Sequence, residues 1–167
     1  MVILGLDPGI AIVGFAFIKK SGQKLIPIEY GSITTSPEAS EPTRIKMIYD
    51  SIKQLMEHYQ PEVMAVEKLF FNRNVTTAFT VGQARGVMLL AAEEASIPVV
   101  DYTPLQVKQA VVGYGQAEKR QVQEMVRLLL GLKERPKPDD VADALAVAIC
   151  HAHTAQVYQR IRGGGLR

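Results

Sequence analysis

Apolar positions run in short blocks over the first third of the chain and at helical spacing over the rest. Val2–Leu6 is a short apolar run that predicts a buried strand. Ile12–Ile18 predicts a second, reached through a Pro8-Gly9 turn and closed by Lys19-Lys20-Ser21-Gly22. Leu25–Ile33 alternates loosely and predicts a third; three strands joined by short turns make an antiparallel meander. Residues 36–42, rich in Ser, Pro and Glu, read as a loop. Beyond them Ile45, Ile48, Ile52, Leu55, Met56 and Tyr59 fall on one helical face, which stops before Pro61. Val63–Val66 predicts a buried strand ending in Glu67, followed by a helix from about Thr77 to Ala95 and a strand over Ile97–Tyr102. Thr103-Pro104-Leu105-Gln106 has the residues of a helix start: a threonine cap, proline in the first turn, glutamine three residues on. That helix ends at Gly113-Tyr114-Gly115, another spans about Ala117–Gly131, and a last begins near Asp139. The order predicts one three-layer α/β domain with a five-stranded mixed sheet flanked by helices.

Composition narrows the class without naming a function. The 167 residues are 47% hydrophobic and 22% charged, which suits one globular core and excludes wholesale disorder. The longest near-apolar stretch, Val141–Cys150, is interrupted by Asp143 and falls short of the roughly 20 residues of a membrane span. One cysteine, Cys150, excludes an internal disulfide and a multi-cysteine zinc site. With no signal-peptide pattern at Met1–Asp7, the expectation is a cytoplasmic protein that makes no membrane contact. The net charge of +2 says little, but residues 154–167 hold three arginines and no acid, which predicts a basic, flexible tail after a domain over residues 1–153.

The informative residues are acids in apolar surroundings. Asp7 ends one buried strand and Glu67 another; each alone is explained as well by a turn or by reaching solvent, but together they place two carboxylates on one edge of a sheet. Asp143 sits inside the apolar stretch 141–150, where a lone carboxylate is costly without a partner, and Asp140 shares its face at i,i+3. Asp139 reads as the helix cap. Four convergent acids repel one another unless cations compensate them, and oxygen-only donors select Mg²⁺ or Mn²⁺ over zinc. Two divalent ions would balance four carboxylates and suit phosphodiester hydrolysis.

The ordered set Gly5-Leu6-Asp7-Pro8-Gly9, Val66-Glu67, Gly82-Gln83-Ala84-Arg85-Gly86, Gln106-Val107-Lys108-Gln109, Gly113-Tyr114-Gly115 with Lys119, and Asp140-Val141-Ala142-Asp143-Ala144 resembles the RuvC family of Holliday junction resolvases. The resemblance covers about residues 1–153 and implies an RNase H-like fold of the retroviral integrase superfamily. It implies a homodimer that nicks opposing strands of a four-way DNA junction in recombination and repair, with Asp7, Glu67, Asp140 and Asp143 as catalytic, metal-holding acids. Two Mg²⁺ per subunit are expected, with Mn²⁺ able to substitute, and RuvA and RuvB as partners. A generic RNase H-type nuclease and a non-catalytic junction-binding module are the competing readings. An actin-like ATP-binding fold is excluded, because it needs two such domains.

Phe70 and Phe71 are adjacent aromatics at a strand end, which suits the core, yet the polar Asn72-Arg73-Asn74 follows, which suits exposure of one ring. The resemblance implies that Phe70 contacts the junction centre, and Arg73 is a candidate phosphate ligand. Lys108 and Lys119 read from composition as solvated helix lysines; the resemblance makes both DNA-binding residues. Gly113 and Gly115 suit either backbone approach to a phosphate or simple helix termination. His151 and His153 read as cations or polar surface at the end of the last helix. Gly82 and Gly86 suggest close helix packing. The same helix carries Phe79, Val81, Val87, Leu89 and Leu90, more apolar surface than one sheet face needs, and part of it is expected to form the dimer contact.

Overall fold

A computed structural model describes residues 1–68 and 75–163. Strands β1 (Val2–Asp7), β2 (Ile12–Ser21) and β3 (Lys24–Thr34) form the expected antiparallel meander. β4 (Val63–Glu67) and β5 (Val99–Tyr102) add to β1 in parallel, giving the order β3-β2-β1-β4-β5. Parallel neighbours need crossovers, and helices α1 (Glu41–Tyr59) and α2 (Val75–Glu94) supply them. Helices α3 (Pro104–Val112), α4 (Lys119–Leu129) and α5 (Asp139–Gly163) complete the molecule. No described helix is long and apolar enough to cross a membrane.

Alternation along the strands divides the core in two. Leu4, Leu6, Phe17, Met64 and Val66 pack with Ile48, Ile52 and Met56 of α1 and Met88 of α2. Ile3, Ala16, Ile18, Val63 and Ala65 pack with Val107 of α3, Val126 of α4, and Leu145 and Ile149 of α5. The sheet is thus covered on both faces, in the three layers expected.

Three local expectations change. Helix α1 begins at Glu41, inside the expected loop, because Ser40 caps it: its hydroxyl accepts the Thr43 N–H at 3.4 Å. Pro42 is tolerated in the first turn, where its missing N–H has no partner to lose. Strand β5 begins at Val99 rather than Ile97, whose N–H bonds the Ala92 carbonyl and closes α2. The start of α3 is as expected: Gln106 N–H donates to the Thr103 hydroxyl at 3.2 Å, and Thr103 N–H donates to the Gln106 side chain at 2.8 Å. Helix α5 continues to Gly163, past the position where the tail was expected to begin.

The packing of α5 on the sheet sets up the site. A Cβ on Gly5 would lie 2.2 Å from the Ala144 carbonyl oxygen, and one on Gly14 would lie 1.9 Å from that of Asp140. Both glycines therefore let the backbone of α5 lie directly on β1 and β2. Gly14 pairs across the ladder with Asp7, so this contact brings the first turn of α5 over the end of β1.

Candidate active site

The strand alternation that sorts the core also aims the acids. Ile3 and Gly5 face α5, so Asp7, two residues further, faces α5 as well. Val63 and Ala65 face the same layer, and so does Glu67. β1 and β4 are parallel neighbours in register at Leu6 and Val66, so the two acids follow side by side at their carboxyl ends. Asp140 and Asp143 arrive from the first turns of α5.

The electrostatics show how closely these groups gather. Burial, then the charges of Asp143, Glu67 and Asp140, push the Asp7 carboxyl up to about 8, against the pull of Lys119. Glu67 is raised first by burial and then by Asp143, with Lys119 and Lys108 opposing. Asp143 is raised by burial, although a hydrogen bond and the charge of Lys119 work the other way. Lys119 reaches Asp143 Oδ2 at 2.9 Å and Asp139 Oδ2 at 3.3 Å. Burial works to lower the Lys119 ammonium, but these two carboxylates outweigh it and hold it above its ordinary value.

A cavity of about 220 Å³ opens beside the acids. Glu67, Asp143, Lys108 and Lys119 form its polar side, and Pro104, Val107, Val122, Ala146 and Val147 form an apolar wall. Carboxylates and cations together on the polar side of the cavity suit a phosphodiester approached by an acid-held cation.

The donor set fits a hard divalent cation. It is all oxygen, partly withdrawn from water, and its members raise one another, which is the condition a cation relieves. Among the described residues no three acids form a single ligand cluster, and the Lys119 ammonium lies 2.9 Å from Asp143 Oδ2. Asp7, Glu67, Asp140 and Asp143 are the residues that could hold such an ion.

The family model for crossover junction endodeoxyribonuclease RuvC matches residues 3–151. The chain belongs to the RuvC family. RuvC of Brevibacillus brevis is 64% identical over 152 residues, covering 91% of this chain and 92% of that protein. RuvC of Desulfitobacterium hafniense is 56% identical over 163 residues, covering 98% and 99%. Thermus thermophilus RuvC in complex with Holliday junction substrate superposes with a TM-score of 0.90 at 42% identity, covering 95% of this chain and 96% of that one. RuvC proteins are crossover junction endodeoxyribonucleases and metal-dependent, in keeping with an oxygen donor set.

Several of the RuvC sequence signatures meet at this site, and some readings of individual residues change. Lys108 and Lys119 join Glu67 and Asp143 at the cavity. Phe70, Phe71 and Arg73 lie outside the described residues. Asp139 is the first residue of α5, and its carboxylate accepts from Lys119 and from Gln123 Nε2 at 2.9 Å rather than serving only the helix end. The Gly113 N–H is taken by the Gln109 carbonyl at 3.0 Å, so it terminates α3 and is not free for a phosphate. His151 is neither cation nor surface: it is buried, its Nδ1 lies 2.8 Å from the Tyr102 hydroxyl, and burial pushes it down to about 4. His153 is exposed and donates to the Ala110 carbonyl at 2.9 Å. Gly82 and Gly86 have open space where a Cβ would go, so no close helix contact within the described chain uses them. Val87 and Leu89 pack into their own core. Sequence reasoning missed Gly14, although a glycine inside a strand is the mark of a close backbone approach. It also missed Gln123, for which the sequence carries no signal.

Proposed function

We propose that this chain resolves four-way DNA junctions as a homodimer, each subunit cutting one of two opposing strands with Asp7, Glu67, Asp140 and Asp143. The observation that carries the reading is the gathering of these carboxylates at one sheet edge, with Asp7 held at about 8 by burial and by the other three. Groups so raised bind a compensating cation at the expense of their protons. Mg²⁺ is the proposed metal, two ions per subunit, with Mn²⁺ able to replace it. A bound divalent ion supplies an activated water and compensates charge on the leaving oxygen. The chain's own part is to hold the acids through β1, β4 and α5, to meet the scissile phosphate with Lys119 and Lys108, and to limit water through the apolar wall of Val107, Val122 and Val147. Phe70, Phe71 and Arg73 are proposed DNA contacts.

The dimer is supported by α2. Phe79, Gly82, Gly86 and Leu90 share one helical stripe; the two large apolar side chains at its ends, Phe79 and Leu90, are 66% and 52% exposed, and both glycines are open. A second copy is the partner that such a stripe suits in an enzyme making two symmetric cuts. RuvA and RuvB are proposed as partners, and the cytoplasm as the place of action, by family membership.

The test is cleavage of a synthetic four-way junction labelled in turn on each strand. Paired nicks in Mg²⁺, none in chelator, none with Asp143→Asn, and intact RNA–DNA hybrid are expected. Cleavage of the hybrid at a rate equal to the junction would favour a general RNase H-type nuclease instead.

A further inference from the structure

We propose that Asp139 is a positioning residue that acts through Lys119. It rests on the reading of the acid site above, and it concerns a carboxylate outside the four. Asp139 is exposed and its two oxygens are both engaged: Oδ1 accepts from Gln123 Nε2 at 2.9 Å, and Oδ2 faces Lys119 Nζ at 3.3 Å. Gln123 and Lys119 are four residues apart and so lie on one face of α4. Asp139 thus ties the first turns of α4 and α5 together, and both of its bonds come from that face. The Asp139 carboxyl is correspondingly held below its ordinary value, by the Lys119 and Gln123 hydrogen bonds.

Lys119 also needs such a tether. Its stem has four flexible carbons, and its ammonium lies between Asp143 and Asp139 on a residue that lines the cavity. With Asp143 as its sole partner, the ammonium has a single anchor, a site acid. With Asp139 beside it, the pull is shared between two carboxylates, and the ammonium is held between them, where it can meet an incoming phosphate. Gln123 keeps Asp139 turned for this task.

The test is a double-mutant cycle of Asp139→Asn and Lys119→Ala on a junction at saturating enzyme, with wild type and Asp143→Asn as controls for the nuclease reading itself. Asparagine still caps a helix, so a capping role predicts wild-type behaviour. Positioning predicts single-turnover cleavage about fivefold slower for Asp139→Asn, the upper end for an exposed ion pair. It predicts no further loss from Asp139→Asn once Lys119 is alanine, and recovery with Asp139→Glu. A readout independent of cleavage is junction binding in metal-free buffer over a salt series. Loss of a positioned lysine contact lowers the log–log salt slope by about 0.9. Removal of a merely repulsive acid tightens binding and leaves the slope the same or steeper. An undiminished slope, wild-type cleavage by Asp139→Asn, or an equal loss in the Lys119→Ala background would each overturn the proposal. If wild type cuts another DNA and not the junction, the functional reading fails, and the same cycle on that DNA still decides the role of Asp139.

Discussion

Replacing Asp7 by asparagine removes the group that burial and three neighbouring carboxylates push up from 3.8 to about 8. In metal-free buffer the folded protein holds a proton on Asp7 that the unfolded chain releases near pH 4. Stability therefore falls as pH rises, beginning near pH 4 and levelling off above about pH 8. At about 1.4 kcal/mol for each pH unit, the ceiling on this loss is roughly 5–6 kcal/mol. Water reaches the site from one side, so about half of that, roughly 2–3 kcal/mol, is the expected gain of Asp7→Asn over wild type at pH 8.5. At pH 5.5 the gain should shrink to about 1 kcal/mol, because only part of the window has been crossed. The assay is urea unfolding in chelator at both pH values, at one protein concentration so that any dimer linkage is constant. Adding Mg²⁺ at pH 8.5 should restore wild type and help Asp7→Asn far less, while cleavage by the variant is abolished. An Asp7→Asn profile parallel to wild type, or lower stability than wild type at pH 8.5, would refute a buried and mutually repelling acid cluster.

Three further outcomes follow from other parts of the molecule. Gly14→Ala places a Cβ on the Asp140 carbonyl, so the first turn of α5 must shift, and cleavage should fall at least tenfold with a melting loss measured by circular dichroism; unchanged activity would remove Gly14 as the seat of α5. Leu90→Glu or Phe79→Glu should convert the protein to monomers in sedimentation equilibrium and uncouple the two nicks while the melting temperature stays near wild type; a dimer of wild-type strength would place the interface elsewhere. If Phe70 stacks in an opened junction, Phe70→Ala should preserve the fold and lower 2-aminopurine fluorescence at the junction centre, whereas Phe71→Ala should destabilise the fold by about 3–5 kcal/mol; the reverse pattern would exchange the two rings.

What the sequence alone determined is what depends on near neighbours. Short apolar runs in Val2–Leu6 and Val63–Val66 make buried strands, and the strand period of two then commits Asp7 and Glu67 to a face. The Thr103-to-Gln106 cap closes within four residues and is readable without tertiary information. An acid inside the apolar start of α5 already demands a partner, because a buried charge is costly in any fold. The family resemblance added the assignment of the four acids that we propose as catalytic. Tertiary structure decided what that charge meets. Lys119 comes to Asp143 from 24 positions away, and it selects Asp139 as well, turning an expected cap into half of an ion pair. Tyr102 meets His151 across 49 positions and makes an expected surface cation a buried neutral group. Gly14 became essential only because the backbone of α5 happens to lie on it. Periodicity and capping are energies of adjacent residues and are written along the chain. Desolvation, ion pairing and close backbone contact are energies between distant segments, and they exist only once the sheet and α5 have been brought together.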